Sequence, residues 1–197
     1  MRWRGVSHIE LSVPDYDAAL RFYDAMFGWL GYTSFWTLDI GYRSTYYAPT
    51  MVFNHSYIGI QPARSESRVD HAARNVGVHH VAIWAKGRKE IDRFHREFLL
   101  KNDITVTEAP AEYPVYAPGY YAVFFDDPVS GVHWEVAHAP WIPSPASLWR
   151  WKRAFKEGAA ASHPEWQGDA FKRALRKLPK KCCSSDGLEC RWRFYSV

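Results

Sequence analysis

Cysteine is nearly missing from this chain: there are three, Cys182, Cys183 and Cys190, and all sit in the C-terminal tail. The body of the protein therefore needs no disulfide, and any site built before the tail contains no thiolate. The three tail thiols lack a convincing fourth metal ligand and read as unpaired. The N-terminus, MRWRGVSHIEL, has no apolar stretch long enough for a signal peptide, and no run approaches the roughly 20 residues of a membrane span. A cytoplasmic location is the expectation. A charge excess of one sign is also missing from most of the chain. From Leu148 onward 12 Lys and Arg face 5 Asp and Glu, whereas 13 face 16 before it, so the basic character belongs to the tail. Disorder is excluded by a 47% hydrophobic content.

Aromatic residues are abundant. Ten Trp and twelve Tyr fit a ring-walled pocket as well as a core, and most are read as core. At 197 residues the chain can form one domain or two small ones.

An internal repeat chooses between these. HIELSVPDYDAALRFYDAMF begins at His8 and HHVAIWAKGRKEIDRFHREFL contains His80, 72 residues later, and Phe22 and Phe94 share that offset. Tyr46-Tyr47-Ala48 recurs as Tyr120-Tyr121-Ala122, and Gln61 falls against Glu135, both at an offset of 74. Two copies of one unit follow. In the first, Ile9, Leu11 and Val13 alternate with His8, Glu10 and Ser12, the period of a half-buried strand. Asp15 or Asp17 can then cap a helix with Ala19, Leu20, Tyr23 and Phe27 inward, ending near Gly28. The second copy repeats this with a strand over His79 to Ala85 and a helix from about Lys89, with Ile91, Phe94, Phe98 and Leu99 inward. Shorter strands follow at Thr45 to Val52, Tyr57 to Pro62, Thr105 to Glu108, Tyr120 to Phe125 and His133 to Ala137, the last entered through the turn Asp127-Pro128-Val129-Ser130-Gly131. Each copy reads as strand, helix, then about three strands, with the polar stretch Arg64 to Asn75 as connection.

The first and last strands of each copy can lie together, so that His8 and Gln61 converge from one copy and His80 and Glu135 from the other. Period-2 geometry puts Glu10 and Ser12 on the face of His8, Ala82 and Trp84 with His80, Tyr57 and Gly59 with Gln61, and His133 and Ala137 with Glu135. Two imidazoles, an amide oxygen and a carboxylate suit Zn, Ni, Fe, Mn or Co and leave positions for water or substrate. Glu10 is read as an acid, a base or an orienting group beside the ligands. His55, His71, His95 and His163 are assigned to the surface, and His79 to the helix-facing or outward side beside its neighbour. Tyr113, Tyr116, Tyr120 and Tyr121 read as an aromatic loop packed on the sheet.

HIELSV-x4-AA-x2-FY-x3-F-G, GVHHVAI and DDPVSGVHWEV together resemble the vicinal oxygen chelate superfamily, which includes glyoxalase I, methylmalonyl-CoA epimerase, fosfomycin-resistance transferases, extradiol dioxygenases and bleomycin-resistance proteins. The resemblance spans roughly residues 5 to 138. It implies an α+β fold in which two βαβββ modules form a curved mixed sheet around a cup, with His8, Gln61, His80 and Glu135 as metal ligands and a homodimer as the assembly. The His, Gln, His, Glu set resembles the epimerase and lies within the range of glyoxalase I. Both reactions move a proton beside a carbonyl, the metal stabilising the enolate and a carboxylate carrying the proton.

Departures narrow this. Ser44 stands where the epimerase has a second catalytic Glu. Val115 to Ala117 lacks the dioxygenase His, and Phe124 replaces its Tyr. The resulting expectation is a domain over 1-138 (modules about 5-63 and 77-138) followed by a Pro-rich linker and basic helical tail over 139-197. Its function is expected to be that of a metal-dependent glyoxalase-like lyase or isomerase for a small carbonyl or carboxylate substrate. Glu135 and Glu10 are the catalytic candidates. The alternatives are a metal-free binding protein of the bleomycin-resistance type and a dioxygenase relative without the usual acid and base. The tail, with Arg150, Lys152, Arg153 and Lys156 beside Trp149 and Trp151 and a second helix expected over Gly168 to Leu178, is expected to dock on protein rather than on nucleic acid or membrane.

Overall fold

A computed structural model of the chain describes residues 6–50, 56–74 and 76–162. In the first module, β1 (His8–Val13) leads into α1 (Tyr16–Trp29), then β2 (Tyr32–Asp39), β3 (Arg43–Pro49) and β4 (Tyr57–Pro62). The second repeats the order as β5 (Val81–Trp84), α2 (Arg88–Phe94), β6 (Val106–Glu112), β7 (Tyr121–Asp126) and β8 (His133–His138). Helix α2 runs on through a π-helical turn, His95–Leu99, and a 3-10 turn, Leu100–Asn102. Each module folds into a four-stranded mixed sheet, ordered β1-β4-β3-β2 and β5-β8-β7-β6. This is the α+β architecture of paired βαβββ modules.

Local chemistry explains most boundaries. The Asp15 carboxylate accepts the Ala18 N–H at 2.9 Å and caps α1, a contact worth about 1 kcal/mol. Asp17 instead meets Arg43 at 2.9 Å on the surface. The expected helix faces are buried apart from Leu20, which is half-buried, with Ala19, Tyr23, Phe27, Ile91, Phe94 and Leu99 fully enclosed. Strand β2 was not located in the sequence because nearly every residue in it is exposed, so it has no apolar alternation to read. The expected strand Thr45 to Val52 ends at Pro49 in β3, and residues 51–55 lie outside the described residues.

The two modules share one core within the chain. Trp134 of β8 is fully buried against α1 of the other module, its ring centroid 5.8 Å from Tyr23 and 5.6 Å from Phe27. The Tyr23 hydroxyl also donates to Asp127, ahead of β8, at 3.1 Å. Burial, and then the Asp127 charge, push the Tyr23 phenol well up, so it remains a donor.

Helix α3 (Pro145–Ser162) begins two residues before the amphipathic helix that the tail's apolar spacing predicts over Ser147 to Ala161. Pro145 is tolerated because a first-turn N–H has no intrahelical partner, and the Ser144 hydroxyl accepts the Ser147 N–H at 3.1 Å. No helix among the described residues is long and apolar enough to cross a membrane. The expected second tail helix, His163 and the three cysteines lie outside the described residues.

Candidate functional site

Strand register sorts the expected site residues. Strand β1 pairs in parallel with β4, setting Glu10 opposite Gly59 and Ser12 opposite Gln61. Strand β5 pairs with β8, setting Ala82 opposite Glu135 and Trp84 opposite Ala137. Because Glu10 and Ala82 keep the offset of the two histidines, Glu135 corresponds to Gly59, and Gln61 corresponds to Ala137. The 74-residue match in sequence is therefore one side-chain repeat out of step with the hydrogen-bonded register. Scattered identities cannot set register, because loop lengths and strand pairing decide it.

His80 and Glu135 are brought together: Nε2 of His80 lies 3.2 Å from Oε2 of Glu135, whose side chain is only 5% exposed. The other carboxylate oxygen accepts the Tyr120 hydroxyl at 2.6 Å. Burial and then this bond push the Tyr120 phenol upward, so it stays protonated as a donor. Gln61 donates to Ser12 Oγ at 3.0 Å, and its Oε1 is buried without a hydrogen-bond partner. His8, at the exposed start of β1, lies 3.3 Å from Ser7 Oγ. His8, His80 and Glu135 are not gathered as a compact triad. Among the described residues the His, Cys, Asp or Glu group whose ligand atoms all lie within 4.8 Å is His71, Asp126 and His133.

Glu10 has its own partner. The Tyr46 hydroxyl donates to its carboxylate across Gly59, the residue lying between β1 and β3. That hydrogen bond, more than any other influence, pushes the Tyr46 phenol up. Gly59 is needed because a Cβ there would lie 3.0 Å from both Glu10 Cγ and Tyr46 Cε1. Gly59→Ala should therefore cost about 1–3 kcal/mol in urea unfolding. The cost should shrink in a Glu10→Ala background, where one of the two clashing atoms is gone. An equal cost in both backgrounds would refute the steric account.

A cavity of about 300 Å³ is lined by Glu10 and Ser12 of β1, by His71, Arg74 and His79 of the connection, and by His133 of β8. His71, expected at the surface, is half-buried. Its ring stacks on His133 with centroids 3.6 Å apart and meets the His79 ring at 4.3 Å. Burial, followed by the charge of neighbouring imidazoles, pushes His71 and His79 down, which keeps their nitrogen lone pairs available. His79 also approaches His80, Nδ1 to Nδ1 at 2.8 Å.

The aromatic loop does more than pack. Tyr113 N–H donates to Tyr120 O at 2.9 Å, closing a loop in which Tyr113 and Tyr116 stack at 5.7 Å and Tyr116 meets Tyr120 at 5.5 Å. Phe124, opposite Glu135 in the register, stacks on His133 at 5.8 Å. Tyr121 points to the other face, where its hydroxyl donates to Asp92 at 2.8 Å. The sequence offered the shared face of His133 and Glu135, but no signal for the Tyr46 and Tyr120 partners. Those bonds depend on how far a ring reaches across a sheet.

Comparison with known proteins accords with this architecture. The family model for the Glyoxalase/Bleomycin resistance protein/Dioxygenase superfamily matches residues 5–136. Similar solved structures include a glyoxylase/bleomycin resistance protein/dioxygenase domain from Frankia sp. EAN1pec, with 17% identity, coverage of 71% of this chain and 100% of that one, and a TM-score of 0.56. A glyoxalase/dioxygenase from Nostoc punctiforme is 20% identical, with 70% and 92% covered and a TM-score of 0.54. Lactoylglutathione lyase from Agrobacterium tumefaciens is 21% identical, with 76% and 98% covered and a TM-score of 0.50. No curated protein matches the chain. At these identities the structures speak for the fold alone. The match over most of the two-module region settles the relationship: this chain belongs to the Glyoxalase/Bleomycin resistance protein/Dioxygenase superfamily.

Proposed function

We propose that the protein is a metal-dependent enzyme of the glyoxalase-like branch, a lyase or isomerase acting on a small carbonyl or carboxylate substrate. The observation that carries this reading is the His80–Glu135 pair, nearly buried on the carboxylate side. The buried Gln61 Oε1 supports it, since an acceptor without a donor is suited to a cation. His80 and Glu135 would hold Zn, Ni, Fe, Mn or Co together with Gln61 and with His8, which must close on the ion from the exposed start of β1. Such an ion, when bound, polarises a substrate carbonyl and favours negative charge on its oxygen.

The chain's own residues do the rest. Tyr120 occupies one oxygen of Glu135 and leaves the other facing His80. Glu10, which lines the neighbouring cavity, is the group assigned to take and return a proton, and the Tyr46 hydroxyl donates to its carboxylate. Tyr113, Tyr120 and Phe124 present an apolar wall beside Glu135 that limits water.

Metal analysis after reloading with divalent ions tests the assignment. Glu135→Gln should weaken metal binding at least about tenfold. Metal content equal to that of the parent chain, or no metal taken up by the parent, would reject it. With loaded protein, Glu10→Gln should slow exchange of a substrate's α-proton with deuterated water by about 10²-fold while metal content stays unchanged. An unaltered exchange rate would remove Glu10 from the chemistry. The same ring wall favours a second reading, a metal-free protein that sequesters a planar ligand, which predicts tight binding of an aromatic compound to the stripped protein.

A further inference from the structure

We infer that His71, His133 and Asp126 form a second divalent transition-metal site, where the connection between the modules folds over the start of β8. Their ligand atoms all lie within 4.8 Å of one another, and the three come from three separate parts of the chain. His133 is 4% exposed, and its Nδ1 lies 2.5 Å from Asp126 Oδ1. A carboxylate only accepts, so a proton on His133 joins the pair. A cation taking the place of that proton is ligated by both groups and releases the proton to solvent.

His71 supplies the third ligand, and its placement is built into the fold. The Val69 N–H donates to Ser130 O at 2.7 Å, pinning the connection to the turn before β8. On the same turn Gly131 has φ of +74°, and a Cβ there would meet Val69 O at 2.4 Å. Only glycine lets the two backbones approach this closely. The approach lays the His71 ring nearly parallel on His133, so that His71 must turn out of the stack to aim its lone pair at the shared ion, and leaves His71 Nε2 buried with no hydrogen-bond partner. A merely packed pair would leave that nitrogen unsatisfied, a condition native structures avoid. The adjoining cavity of about 300 Å³ has room for the water or small anion that completes the coordination. Two imidazole nitrogens and one carboxylate favour zinc, cobalt or nickel over magnesium or calcium.

This site adjoins the His80–Glu135 pair, the His80 and His133 rings lying 6.3 Å apart, and the two are separated by experiment. Metal-stripped full-length protein, His71→Ala and Glu135→Gln are titrated with Co²⁺, followed by its visible absorption, and with Zn²⁺ by calorimetry and thermal melting. The parent should bind one more equivalent than His71→Ala. Glu135→Gln should keep the equivalent that His71→Ala loses, whether or not the proposed enzymatic metal binds. His71→Ala should melt no lower than the parent without metal, yet show a smaller rise in Tm with Zn²⁺. Identical stoichiometry and affinity in His71→Ala and parent would overturn the inference. So would His71→Ala and Glu135→Gln losing the same single equivalent, with the double variant losing no more.

Discussion

Asp127→Ala is expected to lower folding stability by about 3–5 kcal/mol, a large share of the roughly 5–15 kcal/mol typical of a domain. Asp127 is fully buried, and every group around it is a donor. Oδ1 accepts the Val129 and Ser130 N–H groups, both at 2.8 Å. Oδ2 accepts the Val132 N–H at 3.0 Å, the Tyr23 hydroxyl at 3.1 Å and the Ser130 hydroxyl. Removing the carboxylate strands several buried donors at once and frees the turn that leads into β8. It also cuts the hydrogen bond between the modules. Asp127→Asn should be nearly as damaging, since its amide N–H₂ would face donors. Tyr23→Phe removes one bond and should cost only about 1 kcal/mol. Urea unfolding of the three variants checks the order, and a loss under about 1 kcal/mol for Asp127→Ala would contradict the role given to this carboxylate.

Trp134→Ala should be comparably costly, at about 3–5 kcal/mol. The indole is fully buried and packs edge-on against Tyr23 and Phe27, so its removal empties the junction between the modules. Trp134→Phe keeps most of the apolar volume and should lose clearly less. Parent and Trp134→Phe should each unfold in one transition, because the large buried cluster draws on both modules. Two separated transitions in the parent, or equal losses for Ala and Phe, would show that the indole does not join them.

Much of the fold was legible. Period-2 alternation located β1, β-prone residues bounded by turn residues located β4, helical spacing found the inward faces of α1 and α2, and the Asp-Pro and Gly turn marked the entry to β8. Those signals are local, set by a strand or helix burying one face. Strand β2 gave none because it is exposed, and the π-helical turn after α2 has no distinct residue pattern. The site was legible in part. Equivalent histidines and the carboxylate on the last strand were visible, and the chain does bring His80 to Glu135. The equivalence drawn between Gln61 and Glu135 was displaced, because matching residues carry no information on strand register.

The sequence alone determined two modules of one kind, their order of elements, the apolar faces and the superfamily they resemble. Those properties are written in short-range periodicity and motif spacing. Only the tertiary structure decided that Tyr46 serves Glu10, that Tyr120 serves Glu135 and that Trp134 belongs to the core of both modules. It also took His71 from a polar connection and stacked it on His133. Each of these depends on separations of many residues closed by sheet pairing and by a backbone contact that glycine permits, which no local pattern encodes.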